Sequence, residues 1–438
     1  MISTQPARQS TQMTRRMMRS LTMLTVVFSA ITMGSLLTGC GKNDSKSEDA
    51  EVRVLHLAPE SGTLSIRIED EDTQWQSGVA FKAITSYKNI ANGTKRVRVS
   101  NSSGVIVDTS IGFTGQKKQT MIVYGGSSSL GLATLQNDIS TSSSGKAKLR
   151  LINFSVGLGA YDLYMTTNNE DYRSVEPKVR STSGTVYEVD TGSYAIKLTS
   201  PGTKDVLFEL PARSFDDRKY YNLALYNEGS GELPNAFWVQ QDSDTAPEFI
   251  ASTVTRIRAA NGQSAVTNVN INVGGTRVFT NIPFGGISSF ARATSGTRTV
   301  SFIDSSNGDT VASINDSFDG GRDYSVFLAP NAIAFRTLDR VFPPGSGKSR
   351  VRLVNATTIA DLGLSLSFSP VTSGVLTRTA SNYIEVTAGD GTPVTVTQGA
   401  ASTPVVNLSG TDLSSGRTYS FVVGGVPGNI TLTVRQDN

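Results

Sequence analysis

Thr63-Leu64-Ser65-Ile66-Arg67-Ile68 places an apolar side chain at every second position. Successive side chains on an extended strand point to opposite faces, so Leu64, Ile66 and Ile68 share one face and polar residues take the other. The same period returns in Val97-Arg98-Val99 and in Leu364-Ser365-Leu366-Ser367-Phe368. Glycine-bearing turns recur at a spacing of about 8–12 residues, the spacing of short strands in a sandwich. No segment sustains the 3.6-residue period of an amphipathic helix. The composition agrees: 41 glycines with abundant Ser, Thr and Val suit turns and β-branched strands.

These strands belong to a unit that occurs four times. An apolar-Arg-x-x-Asn/His pattern opens each copy: Arg53 with His56, Arg150 with Asn153, Arg258 with Asn261, and Arg352 with Asn355, the arginines 97, 108 and 94 residues apart. Downstream, a residue six positions before a glycine is aromatic or apolar: Tyr87/Gly93, Val186/Gly192, Phe290/Gly296 and Tyr383/Gly389. A basic residue then leads into an apolar run, as Arg218/Tyr220, Arg322/Tyr324 and Arg417/Tyr419, with Lys117/Gln119 in the first copy. Each copy closes on an apolar strand and an aspartate: Asp138, Asp242, Asp339 and Asp437. Four markers in one order predict four tandem immunoglobulin-like antiparallel β-sandwich domains of seven or eight strands, over residues 51–139, 146–242, 252–342 and 349–438. Each copy is long enough to own a core, so the expected arrangement is beads on a string, every strand showing one face to a core and one to water.

Residues 1–39 read as a bacterial lipoprotein signal. Arg8, Arg15, Arg16 and Arg19 precede an uncharged run from Leu21 to Leu37, and Leu37-Thr38-Gly39-Cys40 closes it with a small residue before the only cysteine. Cys40 is thus the expected lipidation site and the first residue of the mature chain. Residues 40–50 form a polar tether that cannot bury a core. Two or three acyl chains, at about 0.8 kcal/mol per buried CH₂, would make membrane attachment effectively permanent. Thr14-Arg15-Arg16-Met17-Met18 partly matches a twin-arginine signal, but the ordinary unfolded-export route is expected. By resemblance to enterobacterial lipoproteins, Gly41 in place of Asp favours sorting to an outer membrane. Without the four signal arginines the 40 basic residues fall to 36 against 37 acidic, a net charge of −1, which gives no electrostatic case for a nucleic-acid partner.

The first copy reads Val52-Arg53-Val54-Leu55-His56-Leu57-Ala58-Pro59, then Leu64-Ser65-Ile66-Arg67. This resembles the bacterial domain of unknown function 4397, whose members open with a V-R-V-x-H-x-S-P type strand followed by a V-D-V-Y type strand. Ala160-Tyr161-Asp162-Leu163-Tyr164 in the second copy resembles that second strand. The later copies replace His by Asn and lose the proline. The resemblance implies an exported, often tandem domain; it brings no activity.

Candidate sites read mainly as scaffold. His56, the sole histidine, stands where the other copies carry Asn, so a hydrogen-bonding side chain at a strand end explains it better than a base or ligand. One histidine and one lipidated cysteine cannot build a transition-metal site, and no metal or cofactor is expected. The repeated arginines are expected as solvated strand residues that discourage edge pairing; an anion or glycan surface is the sharper reading. Tyr220, Tyr324 and Tyr419 would anchor turns through their hydroxyls, as in a tyrosine corner. Glu69-Asp70-Glu71-Asp72 and Asp304-Ser305-Ser306-Asn307-Gly308-Asp309 lack the spacing of a calcium loop and read as turn chemistry. Trp75 is a candidate for stacking on a sugar, whereas Trp238 reads as core. One histidine and no G-x-S-x-G turn leave no catalytic triad, so no catalytic residue is assigned. The expected role is structural, adhesive or ligand-binding, non-enzymatic, with an envelope protein or glycan as partner. The rivals are a carbohydrate-binding module, marked by exposed aromatics in a line, and a glycan hydrolase, marked by two carboxylates meeting between domains.

Overall fold

The computed structural model describes residues 49–438 except 70–74, 127–129, 137–141, 168–169, 182–183, 185, 230, 242–246, 340–341 and 400–402. The signal segment, Cys40, most of the tether, Asp70 to Asp72, Asp138 and Asp242 lie outside the described residues.

The described residues form eight sheets, two per repeat. In repeat 1 the first sheet has the order Lys88–Ile90, Ala50–Leu57, Lys118–Tyr124, Gly131–Gln136. The second has the order Gln76–Val79, Leu64–Ile68, Gly93–Asn101, Gly104–Phe113. The other three repeats keep this order, and in repeat 2 the strand Glu248–Ile250, from the stretch between repeats, adds a fifth strand to the first sheet. Each sandwich encloses its own core: Val52, Val54, Ile66, Ile68, Val97 and Val99 in repeat 1, and the corresponding alternate positions in the others. Alternation along a strand such as Leu64–Ile68 is therefore the pattern of a half-buried sheet.

Two expectations are corrected. First, the sheets are not purely antiparallel. The opening strand of every repeat pairs in parallel with the strand that carries the late apolar run: Ala50–Leu57 with Lys118–Tyr124, Lys146–Asn153 with Tyr220–Tyr226, Val254–Asn261 with Asp323–Ala329, and Lys348–Thr357 with Thr418–Val426. The intervening strands form a crossover long enough to bring the chain back in the same direction.

Second, the repeats are not beads on a string. The opening strand and its parallel partner are buried on both faces, the condition that turns alternation into a near-continuous apolar run. Their inward side chains fill the repeat's own core. Their outward side chains, Leu55, Leu57 and Ile122 of repeat 1 and Ile152, Phe154, Ala224 and Tyr226 of repeat 2, form one apolar cluster between the two repeats. Ala260, Phe327 and Ala329 of repeat 3 meet Val354, Ala356 and Val422 of repeat 4 in the same manner. Sandwiches thus pack back to back in two pairs. The pairs join through charges: Glu228 of repeat 2 is held by Lys82 of repeat 1 and by Arg322 of repeat 3 at 2.9 Å. Arg256 of repeat 3 meets Glu232 of repeat 2 at 2.7 Å, and Arg350 of repeat 4 meets Glu60 of repeat 1 at 3.0 Å. The described residues form one compact unit.

Candidate functional site

The repeated arginines sit at the base of each outward face, and each pairs in register with a polar residue on the parallel strand. The pairs are Arg53 with Thr120, Arg150 with Asn222, Arg258 with Ser325 and Arg352 with Ser420. They are not solvated, as the sequence suggested: Arg258 and Arg352 are each 2% exposed, because the neighbouring sandwich covers the face on which they lie. Arg53 is buried too, its Nε donating to Thr120 Oγ1 at 3.1 Å, and Arg150 is half-buried over the Tyr220 ring.

Between repeats 3 and 4 the arrangement is reciprocal. The Arg258 guanidinium reaches Asp437 of repeat 4 at 2.6 Å, while Arg352 reaches Asp339 of repeat 3 at 2.5 Å. Arg258 also pairs with Asp339 at 3.0 Å. Ser325 and Ser420 each accept from one arginine Nε and donate to the aspartate of their own repeat, Asp339 and Asp437 respectively. The Tyr383 hydroxyl donates to Asp437 at 3.1 Å. Two positive and two negative charges thus share one buried site with every carboxylate bonded, the condition under which buried ions are tolerated. Burial pushes the Asp339 carboxyl up, but Arg352 and Arg258 more than reverse this and hold it below its ordinary value. Burial alone would lower the Arg258 guanidinium, but the Asp437 and Asp339 carboxylates beside it outweigh this and raise it. Burial raises the Tyr383 phenol well above its usual value.

The aromatic marker belongs to this device. Arg53 lies over the Tyr87 ring at 4.6 Å, Arg258 over Phe290 at 4.7 Å and Arg352 over Tyr383 at 4.7 Å. A ring face favours a desolvated cation, by about 2 kcal/mol in such settings. Repeat 2 carries Val186 at that position and stacks Arg150 on Tyr220 instead.

His56 is fully buried. Its Nδ1 accepts the Ala58 amide at 3.1 Å, so Nε2 carries the proton and donates to the Gly62 carbonyl at 2.8 Å. Asn153, Asn261 and Asn355 reproduce both bonds with an amide: each side-chain oxygen accepts the amide two residues on, and each side-chain nitrogen donates to a carbonyl four or five residues on. The position closes a turn. Burial lowers the His56 imidazole from its usual 6.5, against a smaller raising effect of the Gly62 carbonyl.

The turn-anchoring tyrosines need one correction. The hydroxyls of Tyr324 and Tyr419 accept the amides of Asp319 and Ser414 at 3.1 and 2.9 Å, five residues upstream. In repeat 2 this role falls to Tyr221, which accepts the Asp216 amide at 3.2 Å, and not to Tyr220, whose side chain points to the outward face. Tyr221 is the residue in register with Leu149, on the core side. Gln119 does the same work in repeat 1, its Oε1 accepting the Thr114 amide at 3.2 Å.

Trp75 is buried in the core of repeat 1, and Trp238 stacks on Tyr221 with ring centroids 5.0 Å apart, so neither offers a sugar-stacking face. Glu69 pairs with Arg96 and Arg98 on an exposed face. Asp304 accepts from the Ser306 amide and hydroxyl, and Asn307 and Asp309 bond each other, which is turn chemistry. Among the described residues no three His, Cys, Asp or Glu side chains come together as a metal site. Asp339 and Asp437 do converge between two domains, but both are buried and saturated by guanidinium, hydroxyl and phenol contacts.

One feature that sequence reading missed is a groove of about 640 Å³ where repeats 1, 3 and 4 meet. Arg336, Arg350, Arg352 and Arg378 line it together with a single carboxylate, Glu60. Its arginines come from segments distant along the chain, and only Arg352 belongs to a repeated marker.

Compared with known proteins, the chain matches no curated protein. A solved structure described as a product complex of a multi-modular glycogen-degrading pneumococcal virulence factor, SpuA, aligns with 82% of this chain at 10% identity and a TM-score of 0.17, and the chain spans 37% of its length. At that TM-score the likeness assigns neither fold nor activity. The profile of Domain of unknown function (DUF4397) matches residues 50–164 and 255–362, each segment running from the opening strand of an odd-numbered repeat into the second strand of the next. The two segments make up just over half of the 438 residues, and they begin at the opening strands that carry Arg53 with His56 and Arg258 with Asn261: the chain is a member of the DUF4397 family.

Proposed function

We propose that this protein is a lipid-anchored, non-catalytic component of a bacterial envelope, tethered through Cys40, whose four sandwiches act as a stiff body presenting its surfaces to an envelope protein or glycan. The carrying observation is how the repeated residues are used. The arginines, the His/Asn turn closers, the Tyr/Gln corner residues and three of the four aromatic markers are committed to holding strands, turns or neighbouring repeats. Repetition has multiplied a scaffold and no reactive set. The lipoprotein pattern ending at Cys40 supports the anchor, and Gly41 supports onward sorting to an outer membrane. Substituting Cys40→Ser and following detergent partitioning tests it: the variant is expected to leave the membrane fraction, and unchanged membrane association would overturn the anchor. Catalytic turnover by the purified protein on envelope glycans would overturn the non-catalytic reading.

A further inference from the structure

The groove between repeats 1, 3 and 4 differs from the buried arginine clusters in being open while its walls are fixed. Arg352 is clamped to Asp339 at its back, and Arg350 is held by Glu60 at 3.0 Å, so two guanidiniums are oriented before any ligand arrives. Arg336 is likewise braced by Asp316 at 2.7 Å. Arg378 stands apart. It is exposed and enters none of the ion pairs formed among the described residues. Its backbone lies in the left-handed region at φ 61°, a conformation that strains a residue bearing a side chain, and its amide is tied to the Asn355 carbonyl at 2.8 Å. Thr379, Asn382 and Tyr383 complete the wall, so the lining is largely polar. The volume lies within the roughly 300–1,000 Å³ of small-ligand sites.

We propose that this groove is a binding site for an anionic saccharide. Its carboxylate or sulfate would be taken by Arg378, the lining arginine that enters no ion pair among the described residues, and its ring hydroxyls would be met by Thr379 and Asn382. Arginine suits this role because its planar fork binds an oxyanion through two parallel hydrogen bonds. The mainly polar, arginine-rich lining disfavours an acyl chain. The proposal rests on the ligand-presenting reading above and names the ligand chemistry for it.

The test is calorimetric titration of the full chain, in detergent micelles, with three oligosaccharides: oligogalacturonate (carboxylate), a heparin hexasaccharide (sulfate) and neutral maltohexaose. Saturable binding of at least one anionic probe, weakened as salt rises, and none of maltohexaose, is expected. Arg378→Gly is the decisive variant because glycine accepts the left-handed backbone without strain. It should bind the anionic probe at least tenfold more weakly while melting no lower than the parent. Asn382→Ala should weaken binding several-fold. Equal binding of maltohexaose, no saturable binding of either anionic probe, or an Arg378→Gly variant that binds as the parent does would each overturn the site. Such a failure would leave the Cys40→Ser fractionation result untouched.

Discussion

The joint between repeats 1 and 2 and the joint between repeats 3 and 4 occupy the same faces of the same sandwich, yet they are built from opposite materials. The row directly after the turn-closing residue shows this. Leu57 pairs with Tyr124 in repeat 1, and Phe154 lies beside Tyr226 in repeat 2. The corresponding residues of the other pair are Gly262 beside Ala329, and Ala356 with Gly424. Large side chains fill the first joint, with Phe81, Tyr226 and Phe249 in edge-to-face contact. In the second, backbones touch: the Gly425 amide donates to the Gly262 carbonyl at 2.9 Å, and a Cβ on Gly424 would come within 2.8 Å of the Gly262 Cα. Close approach reduces the apolar area available and leaves the reciprocal Arg–Asp cluster to specify how the two repeats align. One joint is held by burial, the other by geometry and paired charge.

The largest effect should come from breaking the charged joint on one side. Asp339→Ala leaves Arg258 and Arg352 with one carboxylate between them and should cost about 3–5 kcal/mol by denaturant unfolding. In the apolar joint, Leu57→Ala should cost about 2–5 kcal/mol through a cavity, and raising salt should leave that loss unchanged. Gly262→Ala should cost about 1–3 kcal/mol, because the new methyl would meet the Leu328 carbonyl at 2.9 Å and Ala356 at 3.1 Å.

Acid separates the pairs as well. The His56 imidazole is lowered in the folded state, so its contribution to stability is complete above pH 6.5 and declines as pH falls below that value. Asp339 is lowered from 3.8, so the charged joint keeps its contribution above that value and loses it only in stronger acid. Melting scans between pH 7 and pH 5 should therefore show repeat 1 weakening first, and His56→Asn should remove that slope while leaving neutral-pH stability close to the parent. The smallest effect contrasts repeats 3 and 4 at one hairpin tip. Gly274 and Gly275 make a left-handed turn in repeat 3, while Ser367 and Phe368 make it in repeat 4 at φ 47° and 66°, with Phe368 86% exposed. Phe368→Gly should raise stability by about 1 kcal/mol, read as a higher melting temperature.

The four copies, their core faces and the turn-closing His/Asn position are legible in sequence because each depends on local spacing. The partner of the outward face is not. Leu55 and Leu57 look the same whether a sheet, a helix or a ligand covers them, and the covering strand lies in another repeat. Parallel pairing is hidden for a related reason: Arg53 and Thr120 meet only through a crossover of more than sixty residues. Tyr220 and Tyr221 are adjacent, and only register against Leu149 tells which faces the core. Asp339 and Asp437 are visible in sequence as markers, but their bonds to arginines of a neighbouring repeat are not.

The ions of the charged seam between the two halves are particular to that seam and do not recur at equivalent positions elsewhere in the repeats. Arg256 and Arg350, which reach across it, lie two residues before the repeated arginines; at the other end of the molecule those positions are Glu51 and Lys148. Glu60 has Ala265 and Ile359 as its counterparts in repeats 3 and 4. A second copy placed end to end would therefore not find, at these positions, the ion pairs that join repeats 1 and 2 to repeats 3 and 4.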